Sequence, residues 1–382
     1  MAAHLTLGLV PAPGLSEKLA CKLAEALPEL LRSEVDGNVS WEVTVRTDPL
    51  TGSDIEAPDL LTQCRKRKEE EGWDLALFLT DLPILRDRRV VVATESQAQG
   101  TGGFSLPALG ALHLYARARE TALQLIRGIH GMERERDAGS AATPRSGPGR
   151  PFQLYRGPLS QRVAPIRQHA QIQHGDSDFG GDVEYTSPKW PALLRILPGM
   201  VRNNSPWNLF PSFRGVFAAA FATGAYVLFF TSMYQVSATL GGTRLLALML
   251  LSLGGITVWT IIAHNLWERD RYRRSTRELT MLYNAATLLT MSTAAVMSYA
   301  ALYGLLLVAG AMFVPREVFQ SSMRMVVEGY SVGWGDYFTL AWMATSLATI
   351  GGALGTGLED EENVRQAAFG YRQRKRTQSE ST

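Results

Sequence analysis

The sequence predicts a two-part membrane protein, in which an N-terminal α/β domain with a mostly parallel sheet precedes an α-helical membrane bundle of four spans. Two observations carry this prediction. Residues 1–135 alternate strand-like and helix-like apolar patterns, as βα units do. Uncharged stretches then occur at 215–243, 245–267, 279–314 and 337–358. Each exceeds the ~18 to 20 apolar residues that a helix needs to cross about 30 Å of hydrocarbon.

The first elements of the α/β domain are readable from side-chain periodicity. Leucines alternate with small residues over 5–9 and predict a strand, and an amphipathic pattern beginning near Ser16 predicts the helix that follows. Alternating apolar and polar residues over 39–45 predict a half-exposed strand. Residues 54–71 have opposite charges four positions apart, which indicates a solvated helix.

The remaining elements favour a sheet covered on both faces. The unbroken apolar runs 75–79 and 90–93 are typical of central strands. The glycine-rich segment 100–103 is interpreted as a flexible loop before a long helix over 105–129, which turns Leu112 toward the core. The resulting order of strand, helix, strand, helix, strand, strand, helix predicts a three-layer α/β domain.

A ligand site in such a domain lies at the carboxyl ends of its parallel strands, where neighbouring loops converge. Polar residues follow three of the predicted strands. The candidate ligand-binding residues are Asp48, Thr80, Asp81, Thr94 and Glu95. One interpretation is a polar crevice for a small ligand or a cation, in which the carboxylates could also serve acid–base chemistry. The other is ordinary turn and cap chemistry beside proline.

The sequence contains no catalytic or cofactor signature. The first predicted strand leads into Pro11-Ala12-Pro13-Gly14, not into the glycine-rich turn of dinucleotide-binding proteins. The only cysteines, Cys21 and Cys64, are far apart, so neither a disulfide framework nor a cysteine zinc site is indicated. The histidines and aspartates within 169–178 lie among glycines, and no metal site is predicted there. The N-terminus has no basic segment typical of a signal peptide, so a cytoplasmic α/β domain is expected.

Two segments are predicted to join the domain to the bundle. Residues 136–186 read as a flexible, arginine-rich linker, because 138–175 contain no acidic residue and few apolar ones. Their charge is expected to attract anionic inner-leaflet lipid, whereas nucleic acid is not expected as a partner, since aromatic residues for base stacking are few. Residues 187–214 mix apolar, basic and aromatic residues and are predicted to lie in the membrane interface.

Basic residues set the predicted orientation. They precede the first stretch, separate the second from the third, and recur in the tail 359–382, so both termini are placed in the cytoplasm. Residues 279–314 could form one long helix or a hairpin, and a single helix is favoured because a hairpin would put the basic tail outside. None of the four stretches contains Asp, Glu, Lys or Arg, which argues against an ion-coupled transporter.

Small residues within the bundle, 215–358, permit close helix contact. They include Gly254, Gly255 and the run 351–357 (GGALGTG), which contains a Gly-x-x-x-Gly spacing. Packing inside the bundle is one interpretation. Assembly of a homo-oligomer through these small-residue helix faces is the alternative.

Three segments carry a resemblance to known proteins: 73–83 (WDLALFLTDLP), 105–110 (SLPALG) and the last stretch with its tail, 351–376. In these segments the chain resembles uncharacterised two-part membrane proteins of high-GC Gram-positive bacteria. The resemblance implies a multi-pass protein of the cytoplasmic membrane. Some such proteins are labelled folate-linked dehydrogenases, but this chain has no dinucleotide fingerprint and no Tyr-x-x-x-Lys in its soluble half. The favoured function is ligand binding or regulation by the cytosolic domain. The alternative is a membrane-anchored enzyme acting on a small-molecule or lipid-derived substrate.

Overall fold

The computed structural model describes residues 3–52, 57–86, 89–137, 171–174, 183–209, 214–268 and 277–353. The chain divides into two compact units, and the division falls between Asn203 and Asn204. The first unit is an α/β structure and the second is helical.

The first unit follows the predicted alternation of strands and helices. Its elements are β1 (Ala3–Pro11), α1 (Leu15–Glu34), β2 (Val39–Val45), α2 (Ala57–Glu71), β3 (Leu75–Thr80), β4 (Ile84–Arg86), β5 (Arg89–Ser96), β6 (Thr101–Ser105), α3 (Leu106–Leu109), α4 (Leu114–Asp137), β7 (Gln171–His174), β8 (Val183–Pro188) and α5 (Lys189–Asn204). A short 3₁₀ turn, Pro49–Gly52, follows β2.

These strands form one mixed sheet in the order β2-β1-β3-β6-β5-β8-β7, with β4 paired to β5. The strands β2, β1, β3 and β6 are parallel, as predicted for the N-terminal region. The pairs that involve β5, β7 and β8 are antiparallel. The change of direction arises because β3 continues into the tight β4–β5 hairpin, and only a longer crossover could have returned the chain in parallel.

Helices cover both faces of the sheet, which confirms the three layers. On one face, α1 and α4 contact each other and pack on the strands, with Leu23, Leu27 and Leu31 of α1 fully buried. On the other face, Leu61 and Cys64 of α2 join an apolar cluster with strand residues. The strands therefore lie between two hydrophobic layers, which explains their unbroken apolar runs.

Residues 101–103 of the glycine-rich segment belong to the central strand β6 and not to a loop, which the sequence suggested, whereas Gly100 lies in the turn before this strand. A Cβ atom on Gly103 would lie 2.3 Å from the Phe78 ring, and one on Gly102 would lie 3.1 Å from the carbonyl oxygen of Thr94. The absence of side chains therefore leaves room for the Phe78 ring of β3 and for the close backbone of β5. Here glycine marks close packing inside a sheet.

The predicted helix over 105–129 is interrupted. The structure has a single turn, α3, and then a break at Gly110 (φ +86°) and His113 (φ +53°) before α4 begins. Leu112 lies in this break and is 69% exposed, so the prediction that it faces the core is wrong. A residue with left-handed backbone angles cannot continue a right-handed helix, so the helix that the pattern predicted ends after its first turn.

The predicted linker, 136–186, contains two strands of the sheet. Residues of β8 pair with β5 from Arg89 to Glu95, and Tyr185 is only 1% exposed. Residues 136–137 end α4, and residues 138–170 and 175–182 lie outside the described residues. The next helix, α5, packs on α3, since a Cβ on Gly199 would lie 2.3 Å from the Pro107 carbonyl oxygen. Its opposite side exposes Leu194, and contact of that side with lipid remains a prediction.

The second unit consists of helices of very different length. They are α6 (Arg214–Phe229), α7 (Thr231–Thr239), α8 (Gly242–Ala263), α9 (Arg277–Phe313), α10 (Arg316–Arg324) and α11 (Trp334–Ala353). The long apolar run forms the single helix α9, as favoured from the sequence. A 3₁₀ turn, Pro206–Leu209, precedes them and contacts α9.

Among the described residues, α8 and α9 are long and apolar enough to cross a membrane. A third candidate is the pair α6 and α7, if these helices, bent by 90° at their junction, count as one span. Large apolar side chains point away from the unit, and Leu251 and Met312 are 69% and 75% exposed. Such an apolar surface is stable in lipid and not in water, so this part of the chain is a membrane protein.

Helix α11 is the centre of the second unit. It contacts α6, α7, α8 and α9, and it buries Leu340, Ala344 and Ala348. It is not among the candidate spans, because Asp336 and several hydroxyl side chains lower its hydropathy. A helix enclosed by other helices meets protein instead of lipid, so burial here does not require high hydropathy.

Candidate functional site

The candidate site lies at the carboxyl edge of the parallel strands. β1, β2, β3 and β6 end at this edge because they run in the same direction. Of the five residues predicted from the sequence, the structure places Asp48, Thr80 and Asp81 here. All three are buried, with at most 3% of each residue exposed. A ligand role for these residues remains a prediction.

Asp48 forms an ion pair. Its Oδ2 atom accepts a hydrogen bond of 2.9 Å from Nε of Arg67 on α2, and its own amide donates to the Pro11 carbonyl oxygen. This hydrogen bond is the main reason that the pKa of Arg67 is raised. Asp48 thus joins the ends of β1 and β2 to α2, which is a structural role whatever else it does.

The turn after β3 is fixed by hydrogen bonds from three directions. The Thr80 hydroxyl oxygen accepts from the amide of Leu82 at 3.1 Å, and the Ser105 hydroxyl donates to the Leu82 carbonyl oxygen at 2.5 Å. From α5, Asn203 donates to the Asp81 carbonyl oxygen. The backbone around Asp81 is therefore pre-organised, as a binding loop must be.

Thr94 and Glu95 lie at the opposite edge of the sheet. They end β5, which runs antiparallel to β6, so Glu95 pairs with Gly102 near the start of that strand. The expectation that the three strand exits converge is therefore wrong for these two residues. The apolar pattern of β5 indicated a strand but contained no information on its direction.

Glu95 belongs to a separate buried cluster under α4. Gln97 Nε2 donates to Glu95 Oε1 at 3.1 Å, and a Cβ on Gly128 would lie 2.7 Å from Glu95 Oε2. Tyr185 of β8 and Gln124 of α4 complete the cluster, and all its members except Gln97 are nearly inaccessible. Burial, and then the negative charge of Glu95, raise the pKa of the Tyr185 phenol. A neutral phenol beside a buried carboxylate is a group that could hold or transfer a proton.

Tyr185 was not predicted from the sequence, because its strand lies in a segment whose composition indicates a linker. The signal was present in the short alternation from Val183 to Thr186, whose residue types favour strands. Four residues are too few to outweigh the surrounding glycine, proline and arginine composition. Arg117 was also not singled out, and Arg195 was interpreted only as a basic residue of the predicted interfacial segment 187–214.

The second unit encloses a pocket between α6, α8, α9 and α11. About 570 Å³ of space, including its open mouth, is bordered mainly by apolar side chains. The lining also includes Thr257, Thr260, Ser298, Tyr299 and Thr349, and the hydroxyls of Thr257 and Thr349 donate to carbonyl oxygens of their own helices. The Tyr299 hydroxyl also lies 2.8 Å from the Ser346 hydroxyl of α11. This lining suits an apolar group better than a polar one.

Comparison with known proteins identifies no relative. No protein-family profile matches the chain, and neither the curated proteins nor the solved structures include a significant match.

Proposed function

We propose that this chain is a multi-pass protein of the cytoplasmic membrane whose cytosolic α/β unit binds a small ligand and acts as a sensing or regulatory domain. Ligand binding is assigned to the carboxyl edge of the parallel strands. The membrane part anchors the domain and receives its signal.

Four spans with both termini in the cytoplasm are the topology we propose. The basic segments around the uncharged stretches support it. The position of α11 supports it as well, because a helix in contact with α6, α8 and α9 shares their depth even though its own hydropathy is modest. At about 1.5 Å per residue, α9 is longer than the hydrocarbon layer, and its first turns would protrude into the cytoplasm.

The strand order is the single observation that carries the ligand proposal. From β1 the chain turns to one side through α1 to reach β2, and from β2 it passes to the other side of β1 through α2 to reach β3. The two helices lie on opposite faces, so the chain leaves β1 toward one face and β2 toward the other, and the strand order reverses at β1. A crevice at such a switch point is the usual ligand site of open α/β sheets. Asp81 follows β3 there.

The proposal is tested by ligand binding to the full-length protein in nanodiscs. Thermal shift against a panel of nucleotides, sugar phosphates, carboxylic acids and divalent cations should give at least one saturable stabilisation. Asp81→Asn should abolish that response. Asp74→Asn is the matched control, because Asp74 precedes the same strand at the opposite edge and accepts a hydrogen bond from the Thr6 amide. Equal binding by wild type and Asp81→Asn would place the site elsewhere.

A second candidate is a membrane-anchored enzyme that acts on a small-molecule or lipid-derived substrate. The buried Glu95 and Tyr185 pair favours it, since perturbed acid and base groups cluster at active sites. Glu95→Gln should then stop turnover of a bound ligand and leave its affinity unchanged. Absence of turnover by the wild-type protein for every ligand that binds would exclude this candidate.

A further inference from the structure

Two arginine side chains lie together beside the break between α3 and α4. A Cβ atom on Gly110 would lie 3.0 Å from Nη1 of Arg117 and 3.6 Å from Cγ of Arg195. Arg117 is in the first turn of α4 and Arg195 is in the middle of α5. Two separate helices therefore bring like charges to one place, and a glycine leaves space between them.

The partners that the described part of the chain offers these arginines are neutral. Arg117 Nη1 donates to the Leu109 carbonyl oxygen at 2.6 Å, and Arg195 Nη2 donates to the Ser187 hydroxyl at 3.3 Å. Among the described residues, no carboxylate forms an ion pair with either guanidinium, and the buried Nε of Arg117 has no hydrogen-bond acceptor. Arg127 of the same helix, in contrast, pairs with Glu34 at 2.6 Å.

Within the part of the chain that the structure describes, this arrangement is electrostatically unfavourable. Burial lowers the pKa of both arginines, and the positive charge of Arg117 lowers that of Arg195 further. The 24-residue helix α4 begins three residues before Arg117, so its positive N-terminal end adds to the same field. Bound negative charge would reverse each of these costs, and uncompensated charge of this kind is typical of functional sites.

The pair lies at the same edge of the sheet as Asp81. β6 leads into α3 and Gly110, and β8, which is parallel to β6 through β5, ends beside Ser187 at this edge. Along α5, Arg195 is eight residues before Asn203, the residue bonded to Asp81, which corresponds to about 12 Å. This separation is comparable with the length of a small phosphorylated metabolite.

We infer that Arg117 and Arg195, with the Ser187 hydroxyl, bind the phosphate monoester group of the ligand. This inference rests on the proposed function and specifies its ligand class. A dianionic phosphate matches two positive charges, and its oxygens accept more hydrogen bonds than a carboxylate can. Soluble phosphorylated metabolites and the headgroup of phosphatidic acid share this chemistry.

The test uses full-length protein in phosphatidylcholine nanodiscs, with inorganic phosphate as the probe and chloride at matched ionic strength as the reference. Phosphate should raise the melting temperature of the wild-type protein in a saturable way. Arg117→Gln and Arg195→Gln should each weaken phosphate binding by about tenfold or more, the loss expected for one charge-assisted hydrogen-bonding group. Arg65→Gln, which removes an exposed positive charge that pairs with Glu69, should not weaken it.

The melting temperature of Arg195→Gln in the absence of phosphate distinguishes a binding role of Arg195 from a structural one. Arg195→Gln should melt at or above the wild-type temperature, because it removes a like-charge contact, whereas a structural arginine would lower it. A second arm replaces part of the lipid by phosphatidic acid. Stabilisation by that lipid, lost in Arg195→Gln, would identify the headgroup as the source of the phosphate.

The outcomes distinguish this inference from the proposed function. The phosphate site would be overturned if both arginine variants bound phosphate as well as the wild-type protein. It would also be overturned if neither inorganic phosphate nor phosphatidic acid stabilised the wild-type protein. If Asp81→Asn still abolishes binding of another ligand in that case, the proposed function stands alone. If the arginine variants lose phosphate and Asp81→Asn changes no ligand response, the phosphate site stands and the Asp81 crevice is excluded.

Discussion

The side-chain amide of Asn203 donates a hydrogen bond of 3.3 Å to the backbone carbonyl oxygen of Asp81, across 122 residues of sequence. Asn203 is near the end of α5, and Asp81 opens the turn after β3. Both residues are buried, so the bond is made without competition from water. The helix that follows the last strand is thereby a structural component of the candidate site.

The ion pair of Asp48 gives the first prediction. Asp48→Asn removes the negative charge that faces Arg67 in a buried position, and we expect a loss of about 1–3 kcal/mol in the free energy of unfolding. Glu70→Gln is the control, because Glu70 pairs with the same arginine at the surface and should contribute less than about 1 kcal/mol. Urea unfolding followed by tryptophan fluorescence measures both. Equal effects would contradict a buried pair.

The two cysteines should differ in reactivity. Burial is the largest cause that raises the pKa of Cys64 to about 12, whereas Cys21 is exposed. At pH 8 a thiol reagent should modify one cysteine in the native protein and two after denaturation, and no thiol should react in native Cys21→Ala.

The same pKa shift makes stability depend on alkaline pH. The folded thiol has a pKa of about 12, above the value of 9.0 for an ordinary cysteine, so the unfolded state loses its proton first. The contribution of the protonated Cys64 thiol to the free energy of unfolding is complete below pH 9 and is lost between about pH 9 and 12. Cys64→Ala should flatten the fall in melting temperature over this range. An unchanged slope would show that other groups cause it.

The strand β8 determines where the α/β unit can be truncated. Residues 1–135 lack β8, so β5 would become an exposed edge strand. A fragment of residues 1–204 should be monomeric and melt cooperatively. The fragment 1–135 should melt at a lower temperature and tend to aggregate. Gel filtration and circular dichroism compare them. Identical melting of the two fragments would mean that the pairing of β8 with β5 adds no stability.

The proposed topology predicts four reporter results. Fusions placed after Leu240, Arg274, Ser321 and Thr382 should read outside, inside, outside and inside, because the basic segments stay in the cytoplasm. An external reading at Thr382 would mean that one of the stretches does not cross. The pair α6 and α7, with its bend of 90°, would then be the stretch that we expect to enter the membrane without crossing it.

Hydrophobic periodicity predicted the helices and strands whose formation depends on residues close to one another in the sequence. The amphipathic pattern of α1 and the apolar run of β3 are local signals, and both elements appear where the sequence placed them. The uninterrupted helix α9 follows from the same reasoning. Direction within the sheet is not local. Glu95 was grouped with Asp81 because both follow a strand, and only the β4–β5 hairpin places them at opposite edges.

Burial of unusual residues could not be predicted. Taken alone, Gly102 and Gly103 indicate a loop. Their position in a strand is explained only by the Phe78 ring of the neighbouring strand β3, which occupies the space that a side chain at 103 would need. Tyr185 gave too short an apolar signal within a polar segment. Arg117 and Arg195 are separated by 78 positions, and nothing in either helix indicates that Gly110 leaves space for both. These features depend on tertiary contacts, which single-sequence patterns do not contain.

The enclosed position of α11 has a consequence for biogenesis. The translocon admits a helix according to its apolarity, and α11, which contains Asp336 and buried hydroxyl groups at Thr345 and Ser346, is less apolar than α8 or α9. The helices that surround it precede it in the chain and are synthesised first. We expect α11 to enter the membrane against partners that are already assembled, so that maturation of the bundle proceeds from its N-terminal helices and fails late when one of them is damaged.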